Sequence, residues 1–188
     1  MNEELDLIFE EAKEHMEKSL QFFIHELVGI RAGKASPAML EGVEVEYYGT
    51  MTPLTQVANV NVRDGQTLTV QVWDKSMLQV VEKAIREANL GFNPVNNGEL
   101  LIINVPPLTE ERRKQLAKKA REEAEKARIN IRNIRKDAKK HIERLEKDKI
   151  ISEDVLKNAL DDLQELTDDY IKKIDERLAK KENDILTV

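Results

Sequence analysis

Between Thr109 and Lys149 nine apolar residues recur at steps of three and four: Leu116, Ala120, Ala124, Ala127, Ile131, Ile134, Ala138, Ile142 and Leu145. No proline follows Pro107. The spacing predicts one unbroken amphipathic helix, about 60 Å long at 1.5 Å per residue. A rod of that length in a 188-residue chain needs other rods to cover its apolar stripe, because a helix this polar is not stable alone in water.

Two further stripes supply the cover. Leu5, Phe9, Ala12, Met16, Leu20, Phe23, Leu27 and Ile30 mark a first helix of roughly 40 Å, expected to stop at Ala32-Gly33 before Ser36-Pro37. Leu156, Leu160, Leu163, Leu166, Tyr170, Ile174 and Leu178 mark a third, opened by Ser152 as cap. Only residues 148–151 separate the second from the third, so these two run antiparallel. Thr109, followed by Glu110 and Glu111, caps the second. Alanines in the middle of its stripe allow close helix approach.

Residues 38–106 follow another rhythm. VEVEYYG (43–49), QVANVNV (56–62) and TLTVQVWD (67–74) alternate like strands, with a turn at Asp64-Gly65. SMLQVVEKAIREANL (76–90) is a short amphipathic helix, and Asn97-Gly98 signals a hairpin before an apolar strand ending at Pro106-Pro107. The predicted class is α+β: an elongated antiparallel three-helix bundle over 1–31 and 107–188, with a small β-rich α/β domain inserted over 32–106. The chain crosses between them twice, at 31–37 and 104–108, and Gly33, Ser36, Pro37, Pro106 and Pro107 sit at the crossings. A double connection of this kind acts either as a hinge with a restricted axis or as a rigid packed junction.

Composition excludes several chemistries. Cysteine is absent, which removes disulfides, thiolate zinc sites and cysteine nucleophiles. No apolar run approaches the roughly 20 residues of a membrane span, and the acidic start lacks a signal-peptide pattern. A soluble intracellular monomer that needs no cofactor is expected. His25-Glu26-Leu27-Val28-Gly29 begins like a zinc-protease motif, but glycine occupies the second ligand position. Gly29 to Ala35 imitates a phosphate loop with three residues between its glycines where four are needed, and Ala35 replaces the magnesium-binding hydroxyl. His15 and His141 stand alone on long helices. Neighbouring acids such as Asp161-Asp162 and Asp168-Asp169 diverge by about 100° and form no dyad. Tyr47, Tyr48 and Trp73 offer stacking surfaces for bases, but as the few large side chains of a small domain they are expected in its core.

The charge distribution carries more. The chain holds 30 Lys+Arg and 36 Asp+Glu, net −6. Within 112–149 lie 16 basic and seven acidic residues, leaving 14 basic and 29 acidic elsewhere. Arg121, Arg128, Arg132, Arg135 and Lys139 follow one another at steps of 7, 4, 3 and 4, which places them in a narrow sector beside the apolar stripe. Glu125 interrupts that sector, and no acid interrupts it from Arg128 to Lys139. Arginine forks match phosphate oxygens, and an acidic remainder limits adhesion to RNA by other faces. On the residues alone, four readings stay open: a phosphate-gripping edge with one productive face, a general nucleic-acid-binding helix, a helical scaffold whose insert binds a protein or peptide, and a plain solvated face on a long charged helix. An enzyme is the poorest fit.

Several separated stretches, in order, resemble the ribosome recycling factors: RAGKASPAMLEGVEVEYYG (31–49), TPL (52–54), VEKAI (81–85), LGFNP (90–94), PPLTEERRK (106–114), RNIRKDA (132–138) and ISED (151–154). The resemblance covers nearly the whole chain. It implies an L-shaped molecule that binds the intersubunit space of the post-termination ribosome. There the bundle docks on large-subunit ribosomal RNA and the insert swings. Elongation factor G, with GTP, supplies the free energy that separates the subunits and releases messenger and transfer RNA. The resemblance also implies roles for residues. Arg132, Asn133, Arg135 and Lys136 match the family's basic motif on the second helix, with Arg132 and Arg135 as the main RNA contacts and Arg128 beside them. Arg112 and Arg113 match its paired arginines, and Arg31 matches at the first crossing. Lys34 keeps the charge but not the fork of the arginine common at its position. The expected RNA-contacting set is therefore Arg31, Lys34, Arg112, Arg113, Arg121, Arg128, Arg132, Arg135, Lys136 and Lys139, with no catalytic residue and no metal.

Overall fold

The computed structural model describes residues 2–30, 34–91 and 93–186. Among these residues four α-helices and six strands form: α1 (Glu3–Val28), β1 (Glu44–Tyr47), β2 (Thr50–Pro53), β3 (Ala58–Asp64), β4 (Thr67–Val72), α2 (Leu78–Glu87), β5 (Pro94–Asn96), β6 (Leu101–Asn104), α3 (Glu110–Lys147) and α4 (Glu153–Leu186). The chain divides into two compact units, Met1–Ile30 with Gln115–Asp184 and Arg31–Lys114 with Ile185–Val188. The boundary at Lys114 leaves the first turn of α3 with the second unit.

Each long helix starts at a side-chain cap, two of them at the expected Thr109 and Ser152. The Asn2 side chain accepts from the Glu4 and Leu5 amides at 3.0 and 3.2 Å. Thr109 caps α3 through the Arg112 amide, and Ser152 caps α4 through the Val155 amide. The 38 residues of α3 span about 57 Å. It ends in a Schellman arrangement: the Ile150 amide donates to the Leu145 carbonyl and the Lys149 amide to that of Glu146, with Lys149 at φ 60°. That reversal returns the chain as α4. Glu17 of α1 accepts from the Tyr170 hydroxyl of α4 at 2.8 Å. Ala12 packs with Ala138, Ile142, Leu145, Ile151, Ala159 and Leu163. The N-terminal half of α1 therefore faces the C-terminal half of α3 and the N-terminal half of α4, so α1 runs parallel to α4 and antiparallel to α3. Ala120, Ala124 and Ile131 are fully buried, as the alanine-rich stripe requires.

One expected boundary moves. α1 ends at Val28, not at Ala32-Gly33, because Gly29 caps it and the Ile30 amide tightens to the Leu27 carbonyl at 3.1 Å. Glycine is the residue that least favours continuation of a helix short of proline. Arg31 and Gly33 lie outside the described residues.

In the second unit β3-β4-β6-β5 form one antiparallel sheet, and β1-β2 form a separate hairpin. The Asn97-Gly98 turn joins β5 to β6, with the Asn97 side chain accepting from the Glu99 and Leu100 amides. α2 lays Leu78, Val81 and Ile85 over a core that includes Val45, Leu68, Val70, Leu101 and Ile103. β2 has no alternating signature. It exists because Tyr48 and Gly49 take φ 48° and 82°, the two left-handed residues of a two-residue hairpin turn. Tyrosine rarely accepts that backbone. Here its hydroxyl donates to Asp74 at 3.0 Å, and its ring meets Tyr47 edge-on at 4.5 Å.

The expectation that the large aromatics fill this core is overturned for two of the three. Tyr48 is 76% exposed and Trp73 61% exposed. Alternation explains Trp73: Val72 points inward, so its neighbour points out. Tyr47 is partly buried against the core, which aliphatic residues fill. Among the described residues, no helix is long and apolar enough to cross a membrane, and no cluster of three potential metal ligands forms.

Candidate nucleic-acid interface

The basic edge of α3 is built by helical repetition, and the acids of α4 then divide it. Arg121 donates through Nε to Glu182 at 2.7 Å. Seven residues later Arg128 donates through Nε and Nη2 to one oxygen of Asp175, at 2.9 and 2.7 Å. It also donates through Nη1 to Glu125 at 3.0 Å. Seven residues on α3 are thus matched by seven on α4 in the opposite sense, as an antiparallel pair with a heptad repeat requires. Continued at the same interval, the ladder would pair Arg135 with Asp168. That rung is not made: Asp168 accepts from Gln164 at 2.9 Å. Arg135 has no ion pair within 4 Å among the described residues.

The predicted cations therefore differ in availability. Arg128 is only 20% exposed. Burial works against its charge, and the hydrogen bonds it donates to Asp175 and Glu125 more than offset this, so its pKa is raised. Arg132 is 51% exposed and, among the described residues, reaches one carboxylate, Glu125, at 3.5 Å. Lys136 is exposed with no ion pair among the described residues, and Lys139 has a loose one with Glu143 at 3.8 Å. Arg132, Arg135 and Lys136 form the open part of the edge, with Asn133 exposed among them. Arg121 and Arg128 form its tethered part.

The remaining predicted residues lie in the stretch assigned to the second unit, where Arg31 and Gly33 fall outside the described residues. Arg112 and Lys34 are exposed. Arg113 is half-buried, and its Nε has no hydrogen-bond partner. The described residues of the two crossings are both fastened to the β3–β4 turn. The Ala35 amide donates to the Gly65 carbonyl at 2.8 Å and the Val105 amide to the Gln66 carbonyl at 2.7 Å. Ser36 caps the short turn Pro37–Leu40, accepting from the Ala38 amide at 3.3 Å. Pro106 and Pro107 are exposed.

Glu125 is legible from α3 alone, whereas Asp175 and Glu182 reach the edge from α4 and are not. The signal was present as acids at 168, 175 and 182 on α4, repeating at the interval that separates 121, 128 and 135 on α3. His15 and His141 are exposed and lie among no group of metal ligands. The edge presents positive forks of a kind that suits anions in a row, and among the described residues no group of three potential metal ligands forms.

A family model described as ribosome recycling factor matches residues 23–186. The ribosome-recycling factor of Flavobacterium johnsoniae is 56% identical over 188 residues, covering 100% of both chains. That of Thermus thermophilus is 48% identical over 179 residues, covering 95% of this chain and 97% of its own. A solution structure of a ribosome recycling factor superposes with TM-score 0.84 at 41% identity, covering 100% of both chains. A second solved structure holds models of the T. thermophilus ribosome recycling factor and the E. coli elongation factor G bound to the E. coli post-termination complex. It covers 99% of this chain and 100% of its own, with TM-score 0.69 and 47% identity.

Proposed function

This chain belongs to the ribosome recycling factor family, and from that premise we propose how its two units share the work. The protein binds the post-termination ribosome and, with elongation factor G and GTP, splits it into subunits, so that ribosomes leave the messenger. It is not an enzyme; the GTPase is elongation factor G. Its place of work is the cytoplasm, as a monomer in the intersubunit space.

The bundle, residues 1–31 and 107–188, is the gripping limb, and the inserted domain, 32–106, is the moving one. The observation that carries this assignment is the open run Arg132, Arg135 and Lys136. Arg132 and Lys136 are exposed and Arg135 is half-buried, with at most one loose carboxylate contact among them. A row of phosphates along ribosomal RNA of the large subunit satisfies such an edge, and each fork takes two oxygens. Arg31, Lys34, Arg112, Arg113 and Lys139 extend the contact, with Arg121 and Arg128 joining it once they exchange carboxylate for phosphate.

The crossings form the hinge. Ala35 and Val105 are buried and hydrogen-bonded to the β3–β4 turn, so they travel with the sheet. The dihedral change then falls to the residues outboard of them, around Gly33 on one crossing and Pro106-Pro107 on the other. Ser36 and Pro37 brace the moving side. An unbroken α3 suits the fixed side, because a helix without proline or bulge carries a load along its axis without kinking.

Light scattering by post-termination ribosomes tests this reading. Splitting is expected with this protein, elongation factor G and GTP together, and is expected to fail when any one is omitted. Splitting that proceeds equally without this protein contradicts it.

A further inference from the structure

We propose that Asp175 and Glu125 are restraining residues: they hold Arg128, and through Glu125 also Arg132, back from phosphate, and so set how tightly the edge grips RNA. The proposal rests on the reading of α3 as the RNA-gripping edge and deepens it.

Every nitrogen of the Arg128 guanidinium is committed. Nε and Nη2 meet Asp175 and Nη1 meets Glu125, all within 3.0 Å. The arginine is 20% exposed, whereas Asp175 and Glu125 are 52% and 53% exposed. The outermost charges at this point of the edge are therefore negative. A phosphate approaching Arg128 meets two carboxylates first and must displace them to reach the fork.

Glu125 acts on two arginines at once. Its Oε2 takes Arg128 and its Oε1 lies 3.5 Å from Nη1 of Arg132. One turn further along, at Arg135, the restraint ends, because Asp168 is engaged by Gln164 and no carboxylate approaches within 4 Å among the described residues. The edge is graded from closed at Arg128, through half-held at Arg132, to open at Arg135.

Exposed and half-exposed ion pairs are weak. Such a restraint competes with phosphate and does not lock it out. A carboxylate held beside each inner arginine returns to it when phosphate leaves, which speeds dissociation more than it slows encounter. A factor that must depart after every round gains from that asymmetry.

The test uses the full chain and isolated large ribosomal subunits across a salt series. Asp175→Asn should bind about threefold more tightly, with slower dissociation and a salt slope steeper by about one phosphate contact. Glu125→Gln, which releases two arginines, should bind about fivefold more tightly. Asp168→Asn, which removes the same charge from the unmade rung, should change affinity by less than about 1.5-fold. In an Arg128→Gln background the gain from Asp175→Asn should vanish. Both restraining acids are exposed and their replacements nearly isosteric. They sit on different helices, so a thermal melt identifies any unfolded variant and the other still reports. Unchanged or weakened binding by Asp175→Asn, or an equal gain from Asp168→Asn, would overturn the restraint while leaving the RNA-gripping edge in place. Absence of salt-dependent binding by the unmodified chain would overturn both.

Discussion

Two stretches of one helix, residues 121–128 and 132–136, carry the same type of charge in the same sector and meet different surroundings. The first faces Glu182 and Asp175 across the bundle, and its arginines are tied down at 2.7 Å. At the interval of that ladder the second would meet Asp168, but Asp168 accepts from Gln164 and Arg135 is untied. A count of positive residues treats them alike. Their difference teaches that an arginine's value to a polyanion depends on what it must give up, and only the register between two helices reveals that.

The sharpest way to break the comparison is to remove one arginine from each stretch. Arg135→Ala should weaken binding to large subunits about tenfold, the loss of one charge-assisted contact. Arg121→Ala should weaken it by about twofold or less, because Arg121 first surrenders Glu182. Equal losses would erase the distinction between tethered and open cations. The measurement is an affinity titration at fixed salt, with circular dichroism to confirm the helices.

A variant away from the edge separates grip from stability. The Tyr170 hydroxyl donates to Glu17, and burial together with that carboxylate pushes its pKa up to about 12. A raised phenol pKa means the folded state holds the proton longer than the unfolded one, whose value is about 10. This contribution to stability is complete below pH ~10 and is lost as pH rises toward ~12. Tyr170→Phe should destabilise the bundle by about 1 kcal/mol near neutral pH and remove that alkaline loss. It should leave large-subunit affinity within about twofold. Denaturant melts at pH 7 and pH 11 check the first two, and the affinity titration checks the third.

Smaller effects sharpen the picture. Arg135→Lys keeps the charge and loses the fork, so binding should weaken by about threefold where Arg135→Ala gives about tenfold. In thermal melts Arg128→Ala should cost about 0.5–1 kcal/mol, because a half-buried ion pair is lost, while Arg135→Ala should stay within about 0.5 kcal/mol. A reversal of that order would mean that Arg135, and not Arg128, is the structural cation.

Much of the fold could be read from spacing. Stripes of threes and fours located the three long helices, and Thr109 and Ser152 marked two of their starts, because caps and amphipathic faces are local properties. What failed was non-local. The β1–β2 hairpin rests on Tyr48 in a left-handed backbone that a contact with Asp74 stabilises 26 residues away, and no local rule predicts that. Tyr48 and Trp73 were placed inside on size alone, and the aliphatic core had no need of them. At the basic edge the sector of Arg121, Arg128, Arg132, Arg135 and Lys139 could be derived from one helix. Its division into tethered and open parts could not, since that needs the pairing of α3 with α4. The heptad-spaced acids at 168, 175 and 182 hinted at such a ladder but not at which rung stays unmade.

The most direct measurement is the salt dependence of large-subunit binding for the unmodified chain and for one with Arg132, Arg135 and Lys136 all changed to Gln. The triple variant should bind about 100-fold more weakly, if each lost contact contributes about 1 kcal/mol. The slope of log affinity against log salt should become shallower by about two to three units, the mark of three phosphates no longer held. A cooperatively folded triple variant with unchanged affinity and slope would show that the open arginines do not hold the ribosome.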